Sequence, residues 1–181
     1  DYLKKFNFYL ADAIITKPKG GSVKFFIKKI NDLKKINKSI NLIKIIALEK
    51  NNKINSIQYF NNLNYRIDKN KNSLLKILKE ISKSKKQIIG IGASHSTTTL
   101  IYHYNLVKYL DYIVDDNIIK HGTYAPGNKI PIYSTSKLYI NPPDYLLILG
   151  WQHQDTIIKK HNSLLKKGTK FIVPLPVLKV I

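Results

Sequence analysis

Four short, mostly apolar runs set the rhythm of the second half of this chain. Residues 88–92 end at Gly92. Asp111–Val114 runs into Asp115 and Asp116. Asp144–Leu149 closes at Gly150, and Phe171–Val173 follows Gly168. Runs of this length with little polar alternation read as strands covered on both faces. Between them lie helical patterns. One covers roughly 95–107; another shows Ile157, Ile158, Leu164 and Leu165 on one face, with Gly168 as a helix stop. Strands alternating with helices at this spacing predict an α/β fold with a doubly wound parallel sheet. Residues 117–135, carrying Gly122, Pro126, Gly127 and Pro131, read as a long loop.

The pattern differs before residue 86. Gly21–Lys29 reads as a strand after a Pro18/Gly20/Gly21 turn. Asn31–Ser39 is polar and lysine-rich and reads as a connector. Ser39–Leu48 fits a helix or a strand, with helix preferred. From Ser56 to Ser82, Phe60, Leu63, Ile67, Leu74, Leu78 and Ile81 recur at helical spacing, and Asn70–Asn72 is a point where that helix could break. A stripe of this kind is expected to be core packing. These patterns divide the chain into residues 1–38, a helical connector over 39–86 and an α/β domain over 87–181.

Within the α/β half, Gln87–Tyr104 carries the most chemistry. A strand there runs into glycines, a Ser/Thr cluster and a helix, the local plan of a Rossmann-like phosphate-binding turn. Glycine lets backbone approach a ligand, and the start of a helix offers unpaired N–H groups to an anion. Gly90 and Gly92 match the first two glycines of the dinucleotide fingerprint, while His95 stands at the third position. Ligands of such sheets sit beyond the carboxyl ends of the strands. The candidate residues are therefore Gly90, Gly92, Ala93, Ser94, His95, Ser96 and Thr97 in the turn, Asp115 and Asn117 after the next strand, and Trp151 and His153 after the third. His103 and His161 fall inside expected helices and read as surface or packing residues. No histidine pair has metal-ligand spacing with a carboxylate, so no metal is expected. No nucleophile elbow supports a Ser-His-Asp triad.

Composition narrows the function classes. The 181 residues hold one domain, or one domain and part of another. The formal charge is +20, but all 31 basic residues except Arg66 are lysine. They are scattered among asparagines and isoleucines. Base and phosphate readers favour arginine's planar fork, so nucleic acid is not the expected partner. The positive field would still draw in an anionic small molecule. There is no cysteine, which excludes disulfides and thiolate metal sites within the chain. No apolar run is long enough to span a bilayer and no signal peptide opens the chain, so no membrane is expected and the cytoplasm is the default. The start at Asp1 and the lack of methionine mark a piece of a longer protein, or a sequence from which methionines have been lost.

An ordered set of segments carries a resemblance. Gly20-Gly21-Ser22-Val23-Lys24 comes first, then Gly90-Ile91-Gly92-Ala93 with Thr99-Leu100. Val114-Asp115-Asp116-Asn117 follows with Lys120 and Gly122. Tyr124-Ala125-Pro126-Gly127 leads into Ile130-Pro131-Ile132, and Pro143 to Leu149 precedes Trp151. Together these resemble the C-terminal domain of the sugar C-methyltransferases, S-adenosylmethionine-dependent enzymes acting on deoxysugar nucleotides. The family often has a lysine in the glycine turn, where this chain has Ser96, and a proline where Gly150 stands. The resemblance implies a parent that removes a proton next to a sugar carbonyl and methylates the resulting enolate. It implies S-adenosylmethionine as the parent's cofactor, with none expected in this fragment. Residues 1–38 would be the tail of an upstream S-adenosylmethionine-binding domain, and the partners would be that domain and a sugar nucleotide. The family's cysteine cluster and acidic-Gly-x-Gly-x-Gly motif do not occur here, and residues 1–19 hold neither Glu nor His for its catalytic pair. The fragment alone is therefore expected to be inactive. Two other readings stand beside this one: a non-catalytic nucleotide- or NAD-binding module with Asp115 or Asp116 on a ribose, and a docking domain for a catalytic partner.

Overall fold

The computed structural model describes residues 2–16, 21–31, 37–127 and 129–181. Pro18 and Gly20 of the expected turn, and most of the Asn31–Ser39 connector, lie outside the described residues. The chain forms two compact units, Asp1–Tyr65 and Arg66–Ile181.

In the first unit, β1 (Phe8–Thr16) pairs antiparallel with β2 (Ser22–Lys29), from Phe8 opposite Lys29 to Thr16 opposite Ser22. A bulge interrupts the register between Leu10 and Asp12. The β2 strand matches the sequence expectation. The β1 strand was not expected: two alanines and an aspartate dilute its apolar pattern, and the cross-strand pairing supplies what its own residues signal weakly. Ser39–Leu48 resolves to a helix, α1 (Ile40–Asn51). Ser39 caps it, its hydroxyl accepting the Leu42 N–H at 3.1 Å and donating to Asp12 beside the bulge. Ala11, Ala13 and Leu42 are the buried apolar residues among those described in this unit.

Helix α2 (Ile57–Lys83) passes unbroken through Asn70–Asn72. The Asn70 side chain accepts the Tyr104 hydroxyl at 3.2 Å, so the polar residue there is satisfied without ending the helix. The expected core stripe holds in its second half, where Leu74, Leu78 and Ile81 are buried. It fails at Phe60, which is 54% exposed.

The second unit contains a six-stranded sheet in the order β5-β4-β3-β6-β7-β8. Its strands are β3 (Ile88–Ile91), β4 (Ile113–Asp115), β5 (Ile132–Ser134), β6 (Tyr145–Ile148), β7 (Lys170–Val173) and β8 (Lys179–Val180). All pairings are parallel except β7 with β8. Side chains alternate between two cores, as strand geometry requires. Ile88, Leu147, Leu149 and Ile172 face a core shared with α2 and with α3 (His95–Tyr104). Ile89, Ile91, Leu146, Ile148, Phe171 and Val173 face a second core with Leu138 of α4 (Lys137–Ile140) and Leu164 of α6 (Asn162–Lys166). Helices thus cover both faces, the Rossmann-like arrangement the sequence predicted.

Three local readings differ. The helix near 95–107 stops at Tyr104, where Asn105 turns left-handed (φ 57° is seen at Asn7, and 53° here). The 117–135 loop contains β5 and a short 3-10 turn over Ile118–Lys120, since Ile132 and Tyr133 pair with Ile113 and Val114. The helix expected through 157–165 is two helices, α5 (Gln154–Lys160) and α6, parted at His161. Of the two readings for His161, surface or packing, the packing one holds: it is 1% exposed at the α5–α6 junction.

Candidate functional site

Chain order reverses between β3 and β6. From β3 the chain moves outward through β4 and β5; β6 returns to the other side of β3 and continues to β7. A crevice beyond the carboxyl ends of β3 and β6 is the general ligand position in such sheets.

The two strand ends meet there at backbone contact. The Leu149 and Gly150 N–H groups both donate to the Ile91 carbonyl, at 2.9 and 3.1 Å. A Cβ on Gly92 would lie 2.9 Å from the Gly150 nitrogen and 3.1 Å from its Cα. Gly92 also has φ +96°, a conformation that side chains disfavour. Both sterics and backbone therefore require glycine. Gly90 lies two residues earlier, within β3, where an added Cβ would press into Leu149 at 2.6 Å. The bare Cα of Gly90 leaves that space to Leu149 and Ile113.

After Gly92 the chain folds into the start of α3. The Ser94 N–H donates to the Thr97 hydroxyl oxygen at 3.1 Å, and the Thr97 hydroxyl donates to the Gly92 carbonyl at 2.6 Å. Thr97 is buried and holds the turn from inside. Ser94 and Ser96 hydroxyls lie 2.9 Å apart, and the Ser96 hydroxyl donates to Gln152 at 3.3 Å. Among the described residues the His95 and Ser96 N–H groups have no hydrogen-bond partner, as expected of the first residues of a helix. Two N–H donors and two hydroxyls thus collect at the switch point, a donor set suited to an anion.

Asp115 closes the other side. Its carboxylate accepts the Ala93 N–H at 2.6 Å and the Asn117 N–H at 2.9 Å, and pairs with the Lys120 ammonium at 3.2 Å. Asn117 turns its side chain back to cap the following 3-10 turn, accepting the Ile119 N–H at 3.1 Å. Asp116 points elsewhere: it pairs with Lys160 at 2.6 Å and accepts the Thr135 hydroxyl at 2.9 Å. The Lys160 hydrogen bond holds the Asp116 carboxyl below its usual range.

Trp151 follows Gly150 at the end of β6, is half-buried and packs against the first core. His153 is exposed at the end of the same short turn, and His95 is exposed at the first turn of α3. The structure therefore brings together Gly92, Ala93, Ser94, Ser96, Thr97 and Asp115 by direct bonds or contacts, with Trp151 on the adjoining strand end. Among the described residues, the side chains of His95, Asn117 and His153 make no hydrogen bond or ion pair to that group. Residue-level sequence reading did not assign Gln152 or Lys120 to the site. Gln152 lay between two named residues, but nothing in its spacing marked a bond to Ser96. Lys120 is five residues beyond Asp115 and reaches the turn only because the 3-10 turn folds it back.

Among the described residues no group of three or more His, Asp and Glu is arranged to hold a metal ion. No helix among them is long and apolar enough to cross a membrane.

Comparison with known proteins gives this arrangement a context. C-methyltransferase NovU of Streptomyces niveus is 33% identical over 97 residues, covering 53% of this chain but only 23% of NovU's length. The family described as the C-methyltransferase C-terminal domain matches residues 17–176. That match runs from β2 through the glycine turn to the strands beyond the crevice, and on it the chain belongs to the C-methyltransferase C-terminal domain family.

Proposed function

We propose that this chain is the C-terminal, sugar-nucleotide-binding part of an S-adenosylmethionine-dependent C-methyltransferase that methylates a carbon of a keto-deoxysugar nucleotide. The observation that carries the proposal is the pair of unpartnered N–H groups of His95 and Ser96 at the sheet's switch point. In this reading they take a phosphate of the nucleotide, and Ser94 and Ser96 add hydroxyl donors. Gly92 allows the close approach, and Trp151 offers an apolar face to the sugar or base. Asn117, His95 and His153 form the polar rim. Family membership supports the class of enzyme, and the likeness to NovU, a C-methyltransferase, supports carbon as the methylated atom.

The NAD-module reading has less support. A dinucleotide fold needs a free carboxylate for the ribose, whereas Asp115 already accepts two N–H groups and an ammonium, and Asp116 is paired with Lys160. The methyl donor is assigned to no residue of this chain and belongs, in this proposal, to an upstream domain. The β1–β2 pair favours such a neighbour: Ile15, Phe25 and Ile27 are 60%, 59% and 50% exposed, a lipophilic surface of the kind an adjoining domain covers.

The test uses Trp151, the chain's one tryptophan. UDP-glucose and dTDP-glucose are titrated at low salt while its fluorescence is followed, with inorganic phosphate as control. A saturable change is expected for the sugar nucleotides. It should weaken as salt rises, because exposed charges are screened beyond about 8 Å at physiological ionic strength. No fluorescence change, together with unmoved backbone NMR signals from Gly92 to Thr97, would overturn the proposal in favour of a docking domain.

A further inference from the structure

The ion pair beside the glycine turn spends both of its charges on a single residue. Ala93 donates its N–H to Asp115 Oδ2 at 2.6 Å, and its carbonyl accepts the Lys120 ammonium at 2.7 Å. The same ammonium lies 3.2 and 3.3 Å from the two Asp115 oxygens. Both backbone polar groups of Ala93 are thus held by two side chains that also hold each other. Asp115 is itself fixed from two further directions. The Asn117 N–H bonds its Oδ1 at 2.9 Å, and the His121 Nε2 lies 2.8 Å from its backbone carbonyl. The Asp115 side chain is 13% exposed and that of Lys120 is 34% exposed, so water competes with the pair only in part.

Position gives these bonds a consequence. Ala93 lies between Gly92, whose backbone touches Gly150, and Ser94, which begins α3. The Ala93 carbonyl shares its peptide plane with the Ser94 N–H, which donates to Thr97 at the start of α3, so holding Ala93 fixes the entry into the helix turn that carries the His95 and Ser96 N–H groups. Glycine at 92 adds little resistance of its own to rotation, so the turn is held by Thr97 from inside and by these two side chains from outside.

We propose that Asp115 and Lys120 are positioning residues: they clamp Ala93 and thereby aim the His95 and Ser96 N–H groups into the switch-point crevice, without touching the ligand themselves. The use of those N–H groups rests on the function proposed above; the clamp does not. Opposite charges are needed because the turn presents one donor and one acceptor, and a neutral overall pair neither repels nor captures the incoming anion. Lysine at 120 suits the acceptor side, since its ammonium can donate to a carbonyl and a carboxylate at once.

The experiment reads the clamp and the ligand separately. Lys120→Met keeps much of the stem and removes the ammonium. In the free protein its His95 and Ser96 backbone amide signals are expected to shift or broaden, while those of Ile89 and Leu147 in the sheet stay in place. With UDP-glucose or dTDP-glucose, whichever the unmutated chain binds, affinity is expected to fall about tenfold, the scale of disturbing hydrogen bonds to a charged group. Lys120→Arg retains a cationic donor and should restore both readouts in large part. Asp115→Asn, which keeps an acceptor oxygen for Ala93, is the second variant should Lys120→Met fail to fold, and it should move the same two amides. Unmoved His95 and Ser96 amides in a folded variant, or Arg no better than Met, would overturn the clamp. Loss of ligand binding by the unmutated chain would count against the function proposed above and leave the amide readout to decide the clamp.

Discussion

The β1–β2 pair and the central strands β3, β6 and β7 draw on the same stock of Ile, Val, Leu and Phe, yet their surroundings differ at nearly every position. Phe171 and Ile172 in β7 are fully buried, as are Ile89, Leu146 and Leu147. Phe25 and Ile27 in β2 are 59% and 50% exposed, and every residue of β2 after Ser22 is exposed. Apolar side chains stabilise a fold in proportion to the area removed from water, at roughly 25 cal/mol per Å². The six-stranded sheet collects that stabilisation on both faces; the two-stranded pair forgoes most of it. The lesson is that an apolar strand is not by itself evidence of a core. Only the layers placed over it decide whether its side chains contribute stability or remain available to another surface.

Three substitutions sharpen that contrast, beginning with the greatest effect. Gly92→Val forces a branched side chain against the Gly150 backbone at a positive φ. A loss of about 4 kcal/mol is expected, with sugar-nucleotide binding lost as well. Thermal melting and the Trp151 titration check this, and normal behaviour in both would make the backbone approach of Gly92 to Gly150 irrelevant. The second test sets one sheet against the other. Leu147→Ala in β6 should cost about 3 kcal/mol, as buried leucine truncations do. Ile27→Ala in β2 should stay within about 0.5 kcal/mol in this chain. Equal costs in chemical denaturation would break the comparison.

The smallest effect concerns pH. His161 is buried at the α5–α6 junction, its Nδ1 2.8 Å from the Tyr139 hydroxyl, with Lys160 and Asp116 nearby. Burial pushes its pKa below the ordinary imidazole value of 6.5, and the Lys160 charge adds to the shift against the opposing pull of Asp116. The unfolded chain therefore binds this proton more readily than the folded one. Stability should be full above about pH 6.5 and decline as pH falls from there through the lowered folded value. His161→Gln should flatten that decline between neutrality and mild acid; an unchanged slope would assign it to other groups. The depressed Asp116 carboxyl acts in the same direction only at lower pH, below its ordinary 3.8.

Much of the second unit was legible in order and type. The strands at β3, β4, β6 and β7 all appeared as apolar runs closed by turn residues, because a strand buried on both faces needs no polar alternation. The short β5 did not, since Pro131 and the nearby glycines dominate its local signal and its pairing partner Ile113 lies far off in sequence. Of the candidate site, the Gly92–Thr97 turn was legible because tight strand-to-helix turns demand small residues and capping hydroxyls at fixed offsets. The use made of Asp115 was not. An aspartate after that strand reads equally well as a ribose ligand or a clamp, and only the groups its carboxylate bonds in the folded chain bear on the choice.

What the sequence determined by itself is local. Glycine and serine spacing dictates the turn, and apolar periodicity dictates which segments become strands and helices. Family-specific residue order further assigns the chain to its family. The tertiary structure decided everything that depends on residues distant in the chain. It bent Lys120 back onto Ala93, set the Ser96 hydroxyl against Gln152 and left Phe25 uncovered while sealing Phe171. The physical reason is that hydrogen bonds and burial are properties of pairs and layers. A single position carries a propensity for them, but the partner, and with it the chemistry, is supplied only when the chain has closed on itself.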